Sequence, residues 1–283
     1  MDISLDCITC IVQSYTRLLQ AGMLPEEVRE PGMRRLLEYL ANVDYRQSPP
    51  VLGRDLHRMI RSDLDDPDPY RRIKTDANRM MLDRLADLEA MVDGSDDPFD
   101  IAMRLAVAGN AIDFAPQHQL DVMETIDRVL RTPLSIDHSE QLRDELASAA
   151  TLLYIGDNAG EIVLDRLFLQ QIDVPERYFA VRGGPVINDA TLEDARSVGM
   201  EGLVEVITTG DDAPGAVLES ASEEFRQVLG ASDVVIAKGQ GNLEALLDVD
   251  RDIYSLLIIK CDLIAERVGV KRGGFVVGKA LNR

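Results

Sequence analysis

The 283-residue sequence predicts an α/β protein, in which a three-layer α/β/α, mostly parallel, Rossmann-like sheet follows an all-helical N-terminal part. Two observations lead to this fold class. Apolar residues recur at helical spacing through the first half, and from about residue 149 short apolar runs alternate with segments long enough for crossover helices. We therefore predict a helical domain over 1–148 and an α/β domain over 149–283.

Apolar stripes predict six helices in the first half, near residues 8–19, 25–40, 52–60, 70–91, 98–110 and 121–130. Gly22 ends the first helix, and Pro25 begins the second. Pro49-Pro50 is expected to break the chain before the third helix, and Asp65–Pro69 is expected to form a loop before the fourth.

Five apolar runs predict strands in the second half, at 151–155, 177–181, 203–207, 233–237 and 253–259. The segments between them are long enough for helices, so we expect parallel strands with helices on both faces of the sheet. Right-handed crossovers place the carboxyl ends of parallel strands at one edge. The polar turns that follow these strands are therefore expected to share that edge.

The composition excludes several classes of partner. A formal charge of −20 would repel the phosphate backbone of nucleic acids and the surface of anionic membranes, so we expect neither as a partner. No apolar run approaches the length of a membrane span, and the N-terminus lacks a signal-peptide pattern, which predicts a cytoplasmic protein.

The three cysteines, Cys7, Cys10 and Cys261, provide no disulfide framework and suit a reducing compartment. Cys7 and Cys10 have the spacing of a metal-binding or redox pair. No second Cys pair or nearby His completes a zinc set, so we favour a structural or incidental role for this pair.

The turn after the first predicted strand carries Asp157 and Asn158 directly before a predicted helix. Two oxygen-bearing side chains there, beside the free N–H groups of a helix start, suit a metal ion held together with a phosphate. Asp-Asn before a helix is equally a good capping pair, so this turn alone leaves both interpretations open.

Three further polar turns follow strands in the same half. Arg182-Gly183-Gly184 leads to Asp189, Lys238 precedes alternating glycines that begin at Gly239, and Lys260 follows the last predicted strand. Each turn alone also has an ordinary structural explanation, such as helix capping or a solvated lysine. Together they place oxygen ligands suited to Mg²⁺ or Mn²⁺ and ammonium groups suited to a phosphoryl group at one edge.

Motifs in five segments carry a family resemblance: Gly-Asn-Ala-Ile-Asp-Phe at 109–114, Gly-Asp-Asn-Ala-Gly-Glu at 156–161, Arg-Gly-Gly-Pro-Val-Ile-Asn-Asp-Ala-Thr at 182–191, Lys-Gly-Gln-Gly-Asn at 238–242 and Lys-Cys at 260–261. They resemble the damage-control phosphatase family, also called domain of unknown function 89, and most closely its archaeal branch. One departure is Leu257-Ile258-Ile259-Lys260, where some branches carry Arg-Thr-x-Lys. The resemblance implies a metal-dependent phosphatase of small phosphometabolites, such as sugar phosphates or damaged cofactor precursors.

The resemblance also implies that Asp157, Asn158 and Asp189 bind a metal ion. Their oxygen ligands favour Mg²⁺ or Mn²⁺, and Co²⁺ or Ni²⁺ are the alternatives. It implies phosphate contacts by Lys238 and Lys260. We predict catalytic roles for Asp157, Lys238 and Glu161. The predicted substrate-binding residues are Lys238, Gly239, Lys260, Asn110, Asp113 and Arg182.

The Asp-x-Asp-x-Thr pattern of aspartyl-phosphate enzymes is absent at 157–161, which favours water over Asp157 as the nucleophile. Glu161 is then a candidate base, or a residue that supports the helix start. The expected partner is a small phosphorylated metabolite, and the oligomeric state is left open. Two alternative functions are an S-adenosylmethionine-dependent carboxyl methyltransferase and a non-enzymatic metal- or metabolite-binding protein.

Overall fold

The computed structural model of the protein describes residues 1–112 and 122–281. Within these ranges the chain forms thirteen α-helices and one seven-stranded sheet. The helices are α1 (Leu5–Gln20), α2 (Glu26–Ala41), α3 (Pro49–Leu64), α4 (Arg71–Leu82), α5 (Leu85–Asp93), α6 (Pro98–Ala111), α7 (Val122–Arg131), α8 (Ser139–Ser148), α9 (Glu161–Leu169), α10 (Leu192–Ser197), α11 (Glu223–Ala231), α12 (Gly239–Leu246) and α13 (Asp262–Val268). The strands are β1 (Ile136–Asp137), β2 (Thr151–Ile155), β3 (Glu176–Val181), β4 (Glu205–Thr208), β5 (Val234–Lys238), β6 (Tyr254–Ile258) and β7 (Phe275–Lys279).

The strands lie in the order β1-β7-β6-β5-β2-β3-β4, and each neighbouring pair is parallel except β6 with β7. The prediction of a mostly parallel sheet is confirmed. β2 pairs with β3 on one side and with β5 on the other, so the strand order reverses between β2 and β5. Ligands of open α/β sheets bind at the carboxyl ends of the strands at such a reversal. Here that edge follows Ile155 and includes Lys238.

Helices cover both faces of the sheet. Leu152 and Tyr154 of β2 lie in the core that includes α6 and α9, whereas Leu153 and Ile155 pack with Phe225 of α11 on the opposite face. Alternate residues of one strand are thus buried on both sides, as its unbroken apolar run predicts. The three-layer α/β/α architecture is confirmed.

The N-terminal helices lie directly against this core. Apolar residues of α4 to α7 are buried together with β2 and α9, and α1 to α3 enclose a second cluster around Tyr15, Leu36 and Leu56. The division at residue 148 stays a prediction, and β1, which precedes it, pairs in parallel with β7 of the sheet. In the two described ranges, no helix is both long and apolar enough to cross a bilayer.

Two predicted features differ in the structure. The single helix expected near 70–91 is wrong, because the chain turns at Asp83 and Arg84 between α4 and α5. Pro49 and Pro50 lie in the first turn of α3, where a missing N–H group loses no helical hydrogen bond, so they begin the helix. The sequence pattern does not reveal β1, which has two residues, or β7, the antiparallel neighbour of β6.

Candidate active site

The turns after β2 and β3 meet at the strand-order reversal. Asn158 and Asp189 form an antiparallel bridge, flanked by hydrogen bonds from Ala159 N to Asn188 O (2.8 Å) and from Ala190 N to Asp157 O (2.8 Å). Directly opposed residues of an antiparallel pair place their side chains on the same side. The structure therefore brings the predicted metal ligands Asp157, Asn158 and Asp189 together.

Arg182, at the end of β3, joins the two carboxylates. Its side chain is 1% exposed and donates to Asp157 Oδ1 (3.1 Å), to Asp189 Oδ2 (2.7 Å) and to Asn242 Oδ1 (2.9 Å). Asn242 in turn donates to Gly156 O (3.1 Å), which ties α12 to the turn after β2. The guanidinium thus holds the turns that carry Asp157 and Asp189 together. The predicted contact of Arg182 with substrate stays a prediction.

Two amide side chains bind the other oxygen of Asp157. Asn158 Nδ2 lies 2.8 Å and Asn110 Nδ2 lies 3.0 Å from Asp157 Oδ2. The Asn158 amide also donates to Glu161 Oε2 at 2.9 Å. Asn110, at the end of α6, accepts a hydrogen bond from Ile258 N (3.2 Å) and is nearly fully buried. Asn110 therefore lies in the site, behind Asp157.

Lys238, the last residue of β5, is fully buried under these turns. Its ammonium donates to Glu161 Oε1 (2.6 Å), Asp165 Oδ1 (2.5 Å) and Ala106 O (2.8 Å). Three acceptors occupy the three N–H donors of a lysine. A direct contact between Lys238 and phosphate would require the loss of one of these bonds. The predicted phosphate contact of Lys238 is untested, and this geometry weighs against it.

The buried charges of the site do not balance. Four buried carboxylates, Asp157, Glu161, Asp165 and Asp189, accompany two buried cations, Arg182 and Lys238. Burial raises the pKa of Asp189 to about 7 against the opposing charge of Arg182, and burial together with the charge of Glu161 raises the pKa of Asp157. The buried carboxyl groups of the described site thus outnumber its buried cations by two, and the raised pKa values show that the site disfavours this negative charge unless a further cation is bound.

The donor set of the site fits such a cation. No three His, Cys, Asp or Glu side chains within 1–112 and 122–281 are placed to hold a metal ion, and the candidate set here consists of two carboxylates and one amide side chain. Oδ1 of Asn158 and Oδ1 of Asp189 accept no hydrogen bond from the described residues. These oxygens and the Asp157 carboxylate are hard ligands, which suit Mg²⁺ or Mn²⁺.

Two helix N-termini and one lysine complete this edge. α12 begins at Gly239, whose backbone lies directly beside the Asp157 carboxylate, and α9 begins at Glu161, three residues after Asn158. The ammonium of Lys260 is exposed and has no partner within the described part of the chain. Its backbone N–H donates to Gln240 Oε1 of α12 (2.8 Å), and its charge acts to lower the pKa of both Asp157 and Asp189.

Three residues that hold the site together are not predicted from the sequence: Asp165, Tyr154 and Asn242. Asp165 lies four residues after Glu161 in an otherwise apolar helix, and a carboxylate on a buried helix face is a signal that could have found it. Asp113 lies outside the described residues, so its predicted role stays a prediction. Cys7, Cys10 and Cys261 are free thiols.

Comparisons with known proteins agree with the fold. The family model for the damage-control phosphatase ARMT1-like domain matches residues 3–276. A damage-control phosphatase of Pyrococcus horikoshii is 33% identical over 98% of this chain and 97% of its own length, and one of Archaeoglobus fulgidus is 34% identical over 80% of each. The crystal structure of a duf89 family protein from Pyrococcus horikoshii, 31% identical in sequence, superimposes with a TM-score of 0.88 over 99% of both chains.

Proposed function

The chain belongs to the damage-control phosphatase ARMT1-like family, and from this membership we propose that it is a metal-dependent phosphatase of small phosphorylated metabolites. Sugar phosphates or damaged cofactor precursors are the proposed substrates. The observation that carries the proposal is the convergence of Asp157, Asn158 and Asp189 at the strand-order reversal, in a cluster where four buried carboxyl groups accompany two buried cations. These features favour phosphate and metal chemistry over the transfer of a methyl group.

Asp157, Asn158 and Asp189 would hold the divalent cation. Mg²⁺ and Mn²⁺ are the proposed metals, because carboxylate and amide oxygens are the ligands that these ions prefer, and Co²⁺ or Ni²⁺ are the proposed substitutes. When bound, the ion supplies Lewis acidity toward a phosphate oxygen and lowers the pKa of water. Arg182 keeps the two carboxylates at a fixed separation, through bonds of 3.1 and 2.7 Å.

Phosphate binding is proposed to come from the backbone and from Lys260. The N-terminus of α12 offers N–H groups and a positive dipole end, the usual elements of a phosphate site, whereas Ile162 N and Val163 N of α9 already donate to Asn158 O and Gly160 O. The three N–H donors of the Lys238 ammonium are occupied. Of the described lysines near the site, Lys260 is the one whose donors remain available. Lys260 therefore neutralises the phosphate, and Gly239 allows the start of α12 to approach closely.

Water is the proposed nucleophile. The Asp157 carboxylate accepts hydrogen bonds from Arg182, Asn110 and Asn158, so it is held in place by three donors. A carboxylate fixed in this way is suited to orienting other groups and poorly suited to moving onto phosphorus. Asp157 thus acts as a ligand and an orienting group.

The test measures phosphate release from p-nitrophenyl phosphate and a panel of phosphometabolites, with Mg²⁺, Mn²⁺, Co²⁺ or Ni²⁺ added. Asp157→Asn and Asp189→Asn should lose nearly all metal-dependent activity. Lys260→Ala should lower kcat/KM by about 10²-fold, as expected for loss of a charge stabiliser. Lys271→Ala, which removes another exposed lysine, is the matched control and should match the wild type. Phosphate release that is independent of metal, or undiminished in Asp157→Asn, would refute the proposal.

A further inference from the structure

Glu161 and Lys238 form a pair behind the proposed metal ligands, and both side chains are fully buried. In this structure neither side chain has exposed surface that is open to a substrate. We infer that Glu161, anchored by Lys238, is a positioning residue that aims the carbonyl oxygen of Asn158 at the metal ion. This inference rests on the proposed metal site and assigns both residues a role other than base or phosphate ligand.

The orientation of the Asn158 amide is set by two carboxylates. Its nitrogen donates to Asp157 Oδ2 (2.8 Å) and to Glu161 Oε2 (2.9 Å), which uses both of its N–H groups. An amide turned by 180° would instead place its oxygen against two carboxylate oxygens, which offer no hydrogen. The two acceptors therefore keep Oδ1 of Asn158 on the opposite side of the amide, where it can serve as a ligand.

Glu161 is itself held by a lysine that has no remaining donor. Its Oε1 accepts from Lys238 Nζ at 2.6 Å, and its Oε2 accepts from the amides of Asn158 (2.9 Å) and Asn110 (3.4 Å). Lys238 is fixed by Ala106 O (2.8 Å) and Asp165 Oδ1 (2.5 Å). Burial works to lower the pKa of Lys238, but the charges of Asp165 and Glu161 outweigh it and raise that pKa, so the ammonium stays charged.

The anchor extends into the sheet. Tyr154 of β2 donates its hydroxyl to Asp165 Oδ1 at 2.7 Å, and both side chains are fully buried. The orientation of Asn158 is thus connected through Glu161, Lys238 and Asp165 to a central strand. Groups that orient metal ligands commonly contribute about 10–100-fold to metal affinity or activity.

The two acceptor oxygens of Glu161 allow a substitution that tests its positioning role directly. A carboxylate has two acceptor oxygens, and here one faces Lys238 while the other faces Asn158. Glutamine has a single acceptor oxygen, so Glu161→Gln can serve one of these donors and not both. The double variant Lys238→Met/Asp165→Leu removes the anchor without leaving Asp165 as a buried, unpaired carboxylate; Glu161 then keeps only the amide donors of Asn158 and Asn110, so the folding of this variant is checked first.

Titration calorimetry of the purified full-length chain with Mn²⁺ tests the inference. Glu161→Gln and Lys238→Met/Asp165→Leu should bind Mn²⁺ about 10–100-fold more weakly than the wild type. Lys279→Met is the control and should bind like the wild type. Lys279 lies on β7 and pairs with Glu145 of α8 (2.5 Å). Thermal unfolding of each variant establishes that it is folded before titration.

The outcomes separate this inference from the proposed function. Wild-type affinity in both test variants overturns the inference and leaves the phosphatase proposal intact. At saturating Mn²⁺, a raised KM for p-nitrophenyl phosphate in the double variant, with unchanged Mn²⁺ affinity, would assign Lys238 to phosphate and also overturn it. Absence of Mn²⁺ binding by the wild type overturns both.

Discussion

At the scale of single residues, Gly239 shows how closely the backbone approaches the ligand carboxylate. Its φ of +78° lies in the left-handed region, and a Cβ atom there would lie 2.0 Å from Asp157 Oδ2 and 3.0 Å from Asn110 Nδ2. Neither neighbour can retreat without losing the hydrogen bond between them. Glycine at this position therefore serves the geometry of Asp157 as well as the turn.

Gly239→Ala should displace the Asp157 carboxylate and strain the backbone. We expect metal-dependent phosphatase activity to fall by about 10²-fold, as for a misplaced group in a preorganised site, with a stability loss of about 1–2 kcal/mol. Activity assays and urea unfolding measure the two effects. Gly230→Ala in α11, where a Cβ meets nothing within 4 Å, is the control and should be neutral or stabilising. Equal activity in the two variants would contradict the prediction.

At the scale of elements, α4 supports both ligand-bearing turns at once. Asn78 Oδ1 accepts from Gly160 N (2.7 Å) at the start of α9, and its amide donates to Asp194 Oδ1 (2.9 Å) at the start of α10. Lys74 donates to the other oxygen of Asp194 at 3.1 Å. One helix of the N-terminal half thereby holds the turn after β2 and the turn after β3 in a fixed relation.

Asn78→Ala should weaken this support. It leaves the buried N–H of Gly160 without its acceptor, which costs about 1–3 kcal/mol of the free energy of unfolding. Movement of the turn should also weaken Mn²⁺ binding. Urea unfolding and calorimetry measure both, and Asn42→Ala, which removes an exposed amide that donates to Glu38 O (2.8 Å), is the control. If Asn78→Ala is as stable as that control, α4 does not hold the turn.

The elements also show what the sequence can and cannot predict. Strand ends are local signals, since an apolar run followed by Asp157 or Lys238 places each side chain at a known edge of a parallel sheet. The direction of the Lys238 side chain is not encoded by a local signal. Its ammonium is buried because α6 supplies Ala106 O and α9 supplies two carboxylates. The buried supporting role of Asn78 cannot be predicted from the sequence either, because a polar residue on a helix ordinarily faces solvent.

At the scale of the whole molecule, α3 fastens the N-terminal helices to the sheet edge. Arg54 donates to Asp211 Oδ2 (3.1 Å), Arg58 donates to Asp212 Oδ1 (3.0 Å), and Arg61 bonds both Asp212 and the carbonyl oxygen of Pro185. The arginines recur at helical spacing and so lie on one face of α3. In a protein with a net charge of −20, this concentration of positive charge joins two turns that border the active site.

Asp212→Asn should loosen this attachment in a pH-dependent way. Burial opposes ionisation of Asp212, but hydrogen bonds from Arg58 and Arg61 outweigh it and lower its pKa to about 2. A carboxyl whose folded pKa is depressed stabilises the fold above its unfolded pKa, about 3.9, and loses that contribution as the pH falls through about 2. Since the pair is partly screened by solvent, we expect about 1–2 kcal/mol at neutral pH.

The stability difference between the wild type and Asp212→Asn should therefore be constant above about pH 5 and should shrink toward zero near pH 2. Urea unfolding across this range measures it. Asp127→Asn removes a largely exposed pair with Arg131, which should contribute little at any pH, and serves as the control. A difference that grows as the pH falls would have the wrong sign, and would show that the arginines of α3 do not hold the N-terminal helices through Asp212.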